Sequence, residues 1–262
     1  MSEKKTFQRP EVSVDELQKA LYEANCRLME SEKQRNEMFS NISHDLRSPL
    51  AAITSTLEYL RSYGDIEPDE LHDMLDIMSK KAEQLGDLIN NIFYLTCQDN
   101  HKVTSKQVST NLVQLLRDSV IQYQHDISFE KRTIEFVNNT ATPVFVLLDV
   151  AQFQRVLDNL MSNARKYTAS DGTIRLWLST DDTNAVIEVQ DNGIGIAPEL
   201  TEKIFERTYT VSDARTPGKE GCGLGLAIAR SILQSINGSI SCKSEQKKGS
   251  TFTIVLPRIS VT

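Results

Sequence analysis

Three groups of residues in this sequence have types and spacings that could do chemistry. The first is Ser43-His44-Asp45-Leu46-Arg47-Ser48-Pro49. An imidazole nitrogen is a competent nucleophile when a carboxylate holds the proton on the other nitrogen, and Asp45 adjoins His44. Ser48 stands at i+4 from His44, so on a helix its hydroxyl shares that face. The second group is Asn159 and Asn163, one helical turn apart, with Lys166 three residues further on. Neutral amide oxygens can ligate Mg²⁺ without quenching its charge, and a lysine adds a mobile cation for phosphate. The third group is a pair of glycine-rich segments, Asp191-Asn192-Gly193-Ile194-Gly195-Ile196 and Gly221-Cys222-Gly223-Leu224-Gly225-Leu226-Ala227. In the former, glycines let the backbone approach a flat ligand while the carboxylate accepts from an exocyclic amine. In the latter, a helix start offers N–H groups to phosphate. Each group also has an ordinary reading when taken singly: a solvated histidine, two asparagines on a wet helix face, an Asx turn. The evenly spaced glycines at 221, 223 and 225 are not the dinucleotide fingerprint, because no strand leads directly into them.

The elements that must position these groups are legible from periodicity. Phe39, Ile42, Leu46, Leu50, Ile53, Leu57 and Leu60 recur at intervals of three or four. At about 100° per residue they fill a stripe roughly 80° wide, and His44 falls well outside it. Pro49 in a helix interior costs about 3 kcal/mol and frees the carbonyl of Asp45, which marks this turn as a site rather than a spacer. Upstream, Val14, Leu17, Leu21, Ala24 and Leu28 form a heptad seam, and the charged stretch from Ser31 to Glu37 contains no helix breaker. Ser62-Tyr63-Gly64-Asp65 breaks the pattern, and Glu67-Pro68-Asp69-Glu70 starts a second helix. Its stripe is Leu71, Leu75, Met78, Ala82, Leu85, Ile89 and Ile92. A lone helical hairpin would leave these stripes wet, so a four-helix bundle from two chains is expected.

Residues 97–110 are polar and aperiodic and read as a linker. Beyond them the pattern alternates. Helices are expected around Leu112–Tyr123, Phe153–Tyr167 and Leu224–Ile236. Strands are expected at Thr133–Val137, Val144–Leu148, Thr173–Ser179, Ala185–Gln190, Gly238–Ser241 and Thr251–Leu256. This predicts an α/β sandwich with helices on one face of a mixed sheet. The polar stretch from Thr210 to Glu220 could close over a ligand as a lid.

Composition narrows the field. Lysine and arginine number 29 against 36 acids, a net charge of −7, which argues against nucleic acid or anionic lipid as a bulk partner. Cys26, Cys97, Cys222 and Cys242 lie far apart, neither a zinc pattern nor a disulfide scaffold, so a reducing cytosol is expected. No apolar run is long enough to span a membrane, and the chain reads as cytoplasmic as given, with a membrane-tethered parent open if it is a fragment.

Taken in order, SHDLRSPL (43–50), NLMSNARKYT (159–168), DNGIGI (191–196), IFERTYT (204–210) and GCGLGLA (221–227) closely resemble the H, N, G1, F and G2 blocks of sensor histidine kinases. The resemblance covers about residues 36–258. It implies a tail and coiled-coil signal helix (1–35), a dimerisation and phosphotransfer hairpin (36–98), a hinge (99–110) and an ATP-binding domain (111–262). It implies that His44 is phosphorylated from ATP with Asp45 as polarising base, and that Ser48 bears on dephosphorylation of the partner. Asn159 and Asn163 would hold Mg²⁺ and phosphate, Lys166 and Arg207 would meet the phosphates, and Tyr167 would lie against the adenine. Asp191 would bond the adenine amine, with Gly193 and Gly195 shaping the pocket. Gly221, Gly223, Leu224 and Gly225 would frame the lid and phosphates. The implied partners are a second copy of the chain, a response regulator receiver domain and an upstream sensor segment or protein.

The sequence departs from the family pattern at three places. Ser48 stands where Thr or Asn is usual, Thr208 replaces a common aromatic, and Cys222 stands where Thr, Ser or Ala is frequent. None removes a group the chemistry requires. Two rival readings are an ATPase-superfamily member that hydrolyses ATP or phosphorylates serine, and a non-enzymatic scaffold. The first leaves His44-Asp45 unexplained, and the second leaves the intact asparagines, Asp191 and glycines unexplained.

Overall fold

The computed structural model describes residues 14–62, 66–99, 106–206 and 223–259. Two long helices come first, α1 (Val14–Ser62) and α2 (Pro68–Asp99). The seam at Val14–Leu28 and the stripe from Phe39 onward belong to one continuous α1, which runs through Pro49 without ending. Pro68 opens α2, followed by Asp69 and Glu70, the acids that favour a helix N-terminus. Near the turn, the Tyr59 hydroxyl donates to the Glu70 carboxylate across the hairpin at 3.3 Å. Much of the hairpin's apolar surface is uncovered in one chain, with Leu50 55%, Leu75 50% and Phe93 69% exposed.

The α/β region begins earlier than its composition suggests. Val108–Asn111 forms a strand, β1, paired antiparallel with β3 (Phe145–Leu148). The stretch read as a linker from 97 to 110 therefore starts inside α2 and ends inside β1. Residues 100–105 lie outside the described residues. The polar composition of β1 hid it, because its partner lies far along the chain and its first half is exposed. Asn111 then caps α3 (Leu112–His125), its side chain accepting from the Val113 and Gln114 N–H groups.

The main sheet has the order β2-β4-β5-β7-β6. Its strands are β2 (Thr133–Asn138), β4 (Thr173–Thr180), β5 (Asn184–Asp191), β6 (Ser239–Glu245) and β7 (Gly249–Pro257). β2 and β4 are parallel and the other pairs antiparallel, so the sheet is mixed as expected. Alternate strand residues such as Ile174, Leu176, Leu178, Ile187 and Ile254 are fully buried. They meet the apolar faces of α3, α4 (Val150–Tyr167) and α5 (Gly225–Ser235), where Leu112, Leu116, Phe153, Leu157, Leu160 and Ile228 are equally buried. α4 starts three residues before the expected Phe153 because Asp149 caps it, accepting from Ala151 and Gln152. The outer face of α4 meets the end of α2: the Arg155 guanidinium donates to Asn91 at 2.7 Å and lies 4.7 Å over the Tyr94 ring.

Candidate functional site

The residues singled out from the sequence fall into two sets. His44, Asp45 and Ser48 stand on α1, His44 exposed and Asp45 and Ser48 half-buried, while Pro49 is buried. The outward placement expected of His44 is the one observed. An exposed imidazole on a rigid helix can be reached by a macromolecule, which a buried one cannot.

The second set gathers around the carboxyl end of β5 and one face of α4. Asp191 ends β5 and is only 6% exposed. Its carboxylate accepts from the Gly193 N–H at 2.8 Å. Burial nevertheless holds its pKa above the usual carboxylate range, with the nearby Gly193 and Ser250 N–H groups pulling the other way. Such an acceptor, screened from water and fixed in direction, suits one hydrogen-bonding ligand edge. The loop that follows is tied down residue by residue. The Ile194 N–H donates to the Tyr167 carbonyl at 3.1 Å, which joins the loop to the end of α4. Gly195 takes φ +68°, and a Cβ there would run into the Glu245 carbonyl, so only glycine lets the loop lie against the β6–β7 turn.

α4 presents Asn159, Asn163 and Lys166 at successive turns, and the Lys166 ammonium lies 5.1 Å over the Tyr167 ring. At the far side of this surface α5 begins. A Cβ on Gly225 would come within 2.6 Å of Asn159 Oδ1, so glycine permits the N-terminus of α5 to approach α4 here. That N-terminus, which follows Gly223 and Leu224, has no side-chain cap among the described residues. Asn159 Nδ2 is buried without a hydrogen-bond partner among the described residues. A buried donor beside an uncapped helix start fits a phosphate oxygen. The described residues hold no group of three His, Cys, Asp or Glu side chains able to bind a metal by themselves. A divalent ion here would therefore depend on amide and phosphate oxygens, for which Asn159 and Asn163 are the suitable side chains.

Arg207, Gly221, Cys222, Thr208 and the lid stretch 210–220 lie outside the described residues. Three residues near the site carried no sequence signal. Ser250 is 6% exposed and faces Asp191 across the β5–β7 pair. Ser244 accepts from the Ile196 N–H at 2.7 Å. Cys242 is held as a thiol, its pKa pushed up to about 12 by burial and then by the negative charges of Asp191 and Glu202. Their roles depend on strand register, which local sequence does not reveal.

A mixed sheet with helices on one face, an ordered loop after a buried aspartate and an uncapped helix start define a nucleotide-binding domain, here preceded by a helical hairpin with an exposed histidine. Residues 148–260 match the family model of histidine kinase-, DNA gyrase B- and HSP90-like ATPases, and residues 34–101 match the His Kinase A phospho-acceptor domain. The chain is 35% identical over 265 residues to the histidine protein kinase SaeS of Staphylococcus epidermidis, covering 97% of this chain and 74% of that protein. It is 32% identical to the sensor histidine kinase RppB of a Synechocystis species, over 89% of this chain and 51% of that one. Among solved structures, the histidine kinase AdeS of Acinetobacter baumannii shares the fold with a TM-score of 0.64 at 22% identity, over 83% of this chain and 98% of that one. Histidine kinase ThkA, solved in complex with the response regulator TrrA, gives a TM-score of 0.68 at 22% identity, over 89% of this chain and 66% of that one. The chain belongs to the sensor histidine kinases, with a phospho-acceptor domain and an ATP-binding domain in one polypeptide.

Proposed function

We propose that His44 is the phosphoryl acceptor and that the pocket between Asp191, α4 and the start of α5 supplies ATP to it. The observation that carries the pocket assignment is the buried Asp191 carboxylate, fixed by the Gly193 N–H, opposite a surface offering Asn159, Asn163 and Lys166. In this reading Asp191 accepts the adenine amine, and Gly193 and Gly195 let the loop pass close to the ring. Tyr167 lies against the base. Asn159, Lys166, Arg207 and the backbone at Gly221, Gly223, Leu224 and Gly225 hold the phosphates. Asn159 and Asn163 would hold Mg²⁺, which when bound would neutralise triphosphate charge.

His44 attacks the γ-phosphorus with one ring nitrogen. The N–P bond forms as the bond to the β-phosphate oxygen breaks, ADP leaves, and Asp45 holds the proton on the other ring nitrogen. The half-covered hairpin is completed by a second copy of the chain, and the exposed side of α1 around His44 receives a response regulator, whose aspartate takes the phosphoryl group. Ser48 retains a hydroxyl one turn from His44, which supports a part in dephosphorylating that regulator. The catalytic core works in the cytoplasm, whether free or as part of a membrane-tethered parent. Among the described residues no helix is long and apolar enough to cross a membrane.

Incubation with γ-labelled ATP tests the acceptor. Wild type is expected to gain acid-labile label, and His44→Gln to gain none while still binding nucleotide. Acid-labile label persisting in His44→Gln overturns the assignment.

A further inference from the structure

Three strands place one row of polar residues behind the nucleotide loop. Asp191 on β5 pairs with Ser250 on β7, and Ser250 pairs with Ser244 on β6. Along β6, Ile240, Cys242 and Ser244 are half-buried while Ser239, Ser241, Lys243 and Glu245 between them are exposed, so Ser244 belongs to the inner face. A hydroxyl has one proton and two acceptor positions. The Ser244 hydroxyl accepts from the Ile196 N–H at 2.7 Å, lies 2.8 Å from the Gly249 carbonyl and 3.0 Å from the Ser250 hydroxyl. One assignment satisfies all three: Ser244 donates to Gly249, which has no proton to give, and accepts from both Ile196 and Ser250.

Two consequences follow from this arrangement. The first is mechanical. Asp191–Ile196 is clamped at both ends, by Gly193 folding back on Asp191 at its start and by Ser244 at its finish. Between them the Ile194 carbonyl accepts from the Lys247 N–H. The second concerns the hydroxyl of Ser250. Its proton is directed to Ser244, which fixes the orientation of the Ser250 side chain on the strand that pairs with Asp191.

We propose that Ser244 is a positioning residue for the nucleotide: it fixes the end of the Asp191–Ile196 loop and orients the Ser250 hydroxyl, so that the base subsite is preformed before ATP arrives. This rests on the reading of that loop as the base subsite. Ser244 itself touches no reacting atom, so its effect belongs to binding and not to the transfer step.

The test is the KM for ATP and the kcat of His44 labelling in the full chain, with direct nucleotide affinity measured alongside. Ser244→Ala leaves the Ile196 amide without its partner and is expected to raise KM and weaken affinity by about tenfold. At saturating ATP its kcat stays within about twofold of wild type. Ser244→Thr, which keeps the hydroxyl, restores KM. Ser241→Ala, on the exposed face of the same strand, changes neither constant. Unchanged KM in Ser244→Ala overturns the proposal, as does a loss confined to kcat. If Ser244→Ala does not fold, Ser244→Cys carries the test with a weaker acceptor in similar volume: raised KM supports the proposal and unchanged KM overturns it. Absence of nucleotide binding in wild type would instead sink the base-subsite reading itself.

Discussion

The helical hairpin and the α/β domain bury their apolar residues in opposite ways. In the α/β domain the apolar pattern is consumed within one chain, and Phe153, Leu157, Ile174 and Ile254 are wholly buried. In the hairpin the same kind of residue stays half-wet, as at Leu50, Leu57, Leu75 and Ile89. The chemistry divides along the same line. Asp191, the proposed reader of the nucleotide, is buried and fixed, which suits a group that would serve one small ligand. His44, the proposed acceptor, is exposed on a helix, which suits a group that would serve two successive partners, the nucleotide domain and the regulator. A group that must be visited by macromolecules cannot be enclosed, and the helices that carry it rely on another chain for their core.

The contrast can be broken first in the cores. Phe153→Ala is expected to cost about 3–5 kcal/mol, with a fall in Tm that does not depend on protein concentration. Leu75→Ala is expected to act through the dimer, so that its loss in Tm grows on dilution and sedimentation shows weaker association. A concentration-independent loss at Leu75, or a concentration-dependent one at Phe153, would contradict the division. Next in size is Asp191→Asn. Losing hydrogen bonds to a charged group costs about 1.5–3 kcal/mol, so nucleotide affinity is expected to fall by roughly 10- to 100-fold while helical content is unchanged. Calorimetric titration with a non-hydrolysable ATP analogue measures this. Undiminished affinity would remove Asp191 from the site.

Two features of the site show why sequence reading reached as far as it did. His44 was legible as outward-facing because seven apolar residues on one helix set the wheel, and a helix needs no knowledge of distant partners. Asp191 with its glycines was legible because the loop's chemistry is contiguous. Strand β1 was not legible, because Val108–Asn111 is polar and becomes a strand only by pairing with Phe145–Leu148. Ser244 and Ser250 were silent for the same reason: their neighbourhood with Asp191 is created by the register of three strands. α4 starts ahead of its periodic apolar pattern because the boundary is set by the capping Asp149 and not by Phe153.

Smaller effects sharpen the picture of the α/β domain. The buried Tyr123 hydroxyl donates to Asp158 at 2.6 Å between α3 and α4, and burial and Asp158 raise its pKa well above the usual phenol range. Tyr123→Phe is expected to cost about 1 kcal/mol in a urea melt without changing association. The smallest expected effect is a pH dependence. Burial raises the pKa of Asp191, so the folded state holds that proton more tightly than the unfolded state. Its contribution favours the fold below the ordinary carboxylate range and is lost as pH rises through the raised value. Asp191→Asn has no such proton. The Tm of wild type minus that of Asp191→Asn is therefore expected to increase as pH falls from about 7 toward about 4. A decrease over that window would contradict the sign.

The division of labour between an enclosed nucleotide pocket and an exposed acceptor is tested most directly by locating the phosphate. Wild-type protein is incubated with ATP and Mg²⁺, digested at alkaline pH to protect a phosphoramidate, and mapped by mass spectrometry. The account predicts one modified residue, His44, with modification lost in Asp191→Asn at an ATP concentration that saturates only wild type. Phosphate on a serine or threonine, or on another of the histidines His72, His101 or His125, would contradict it.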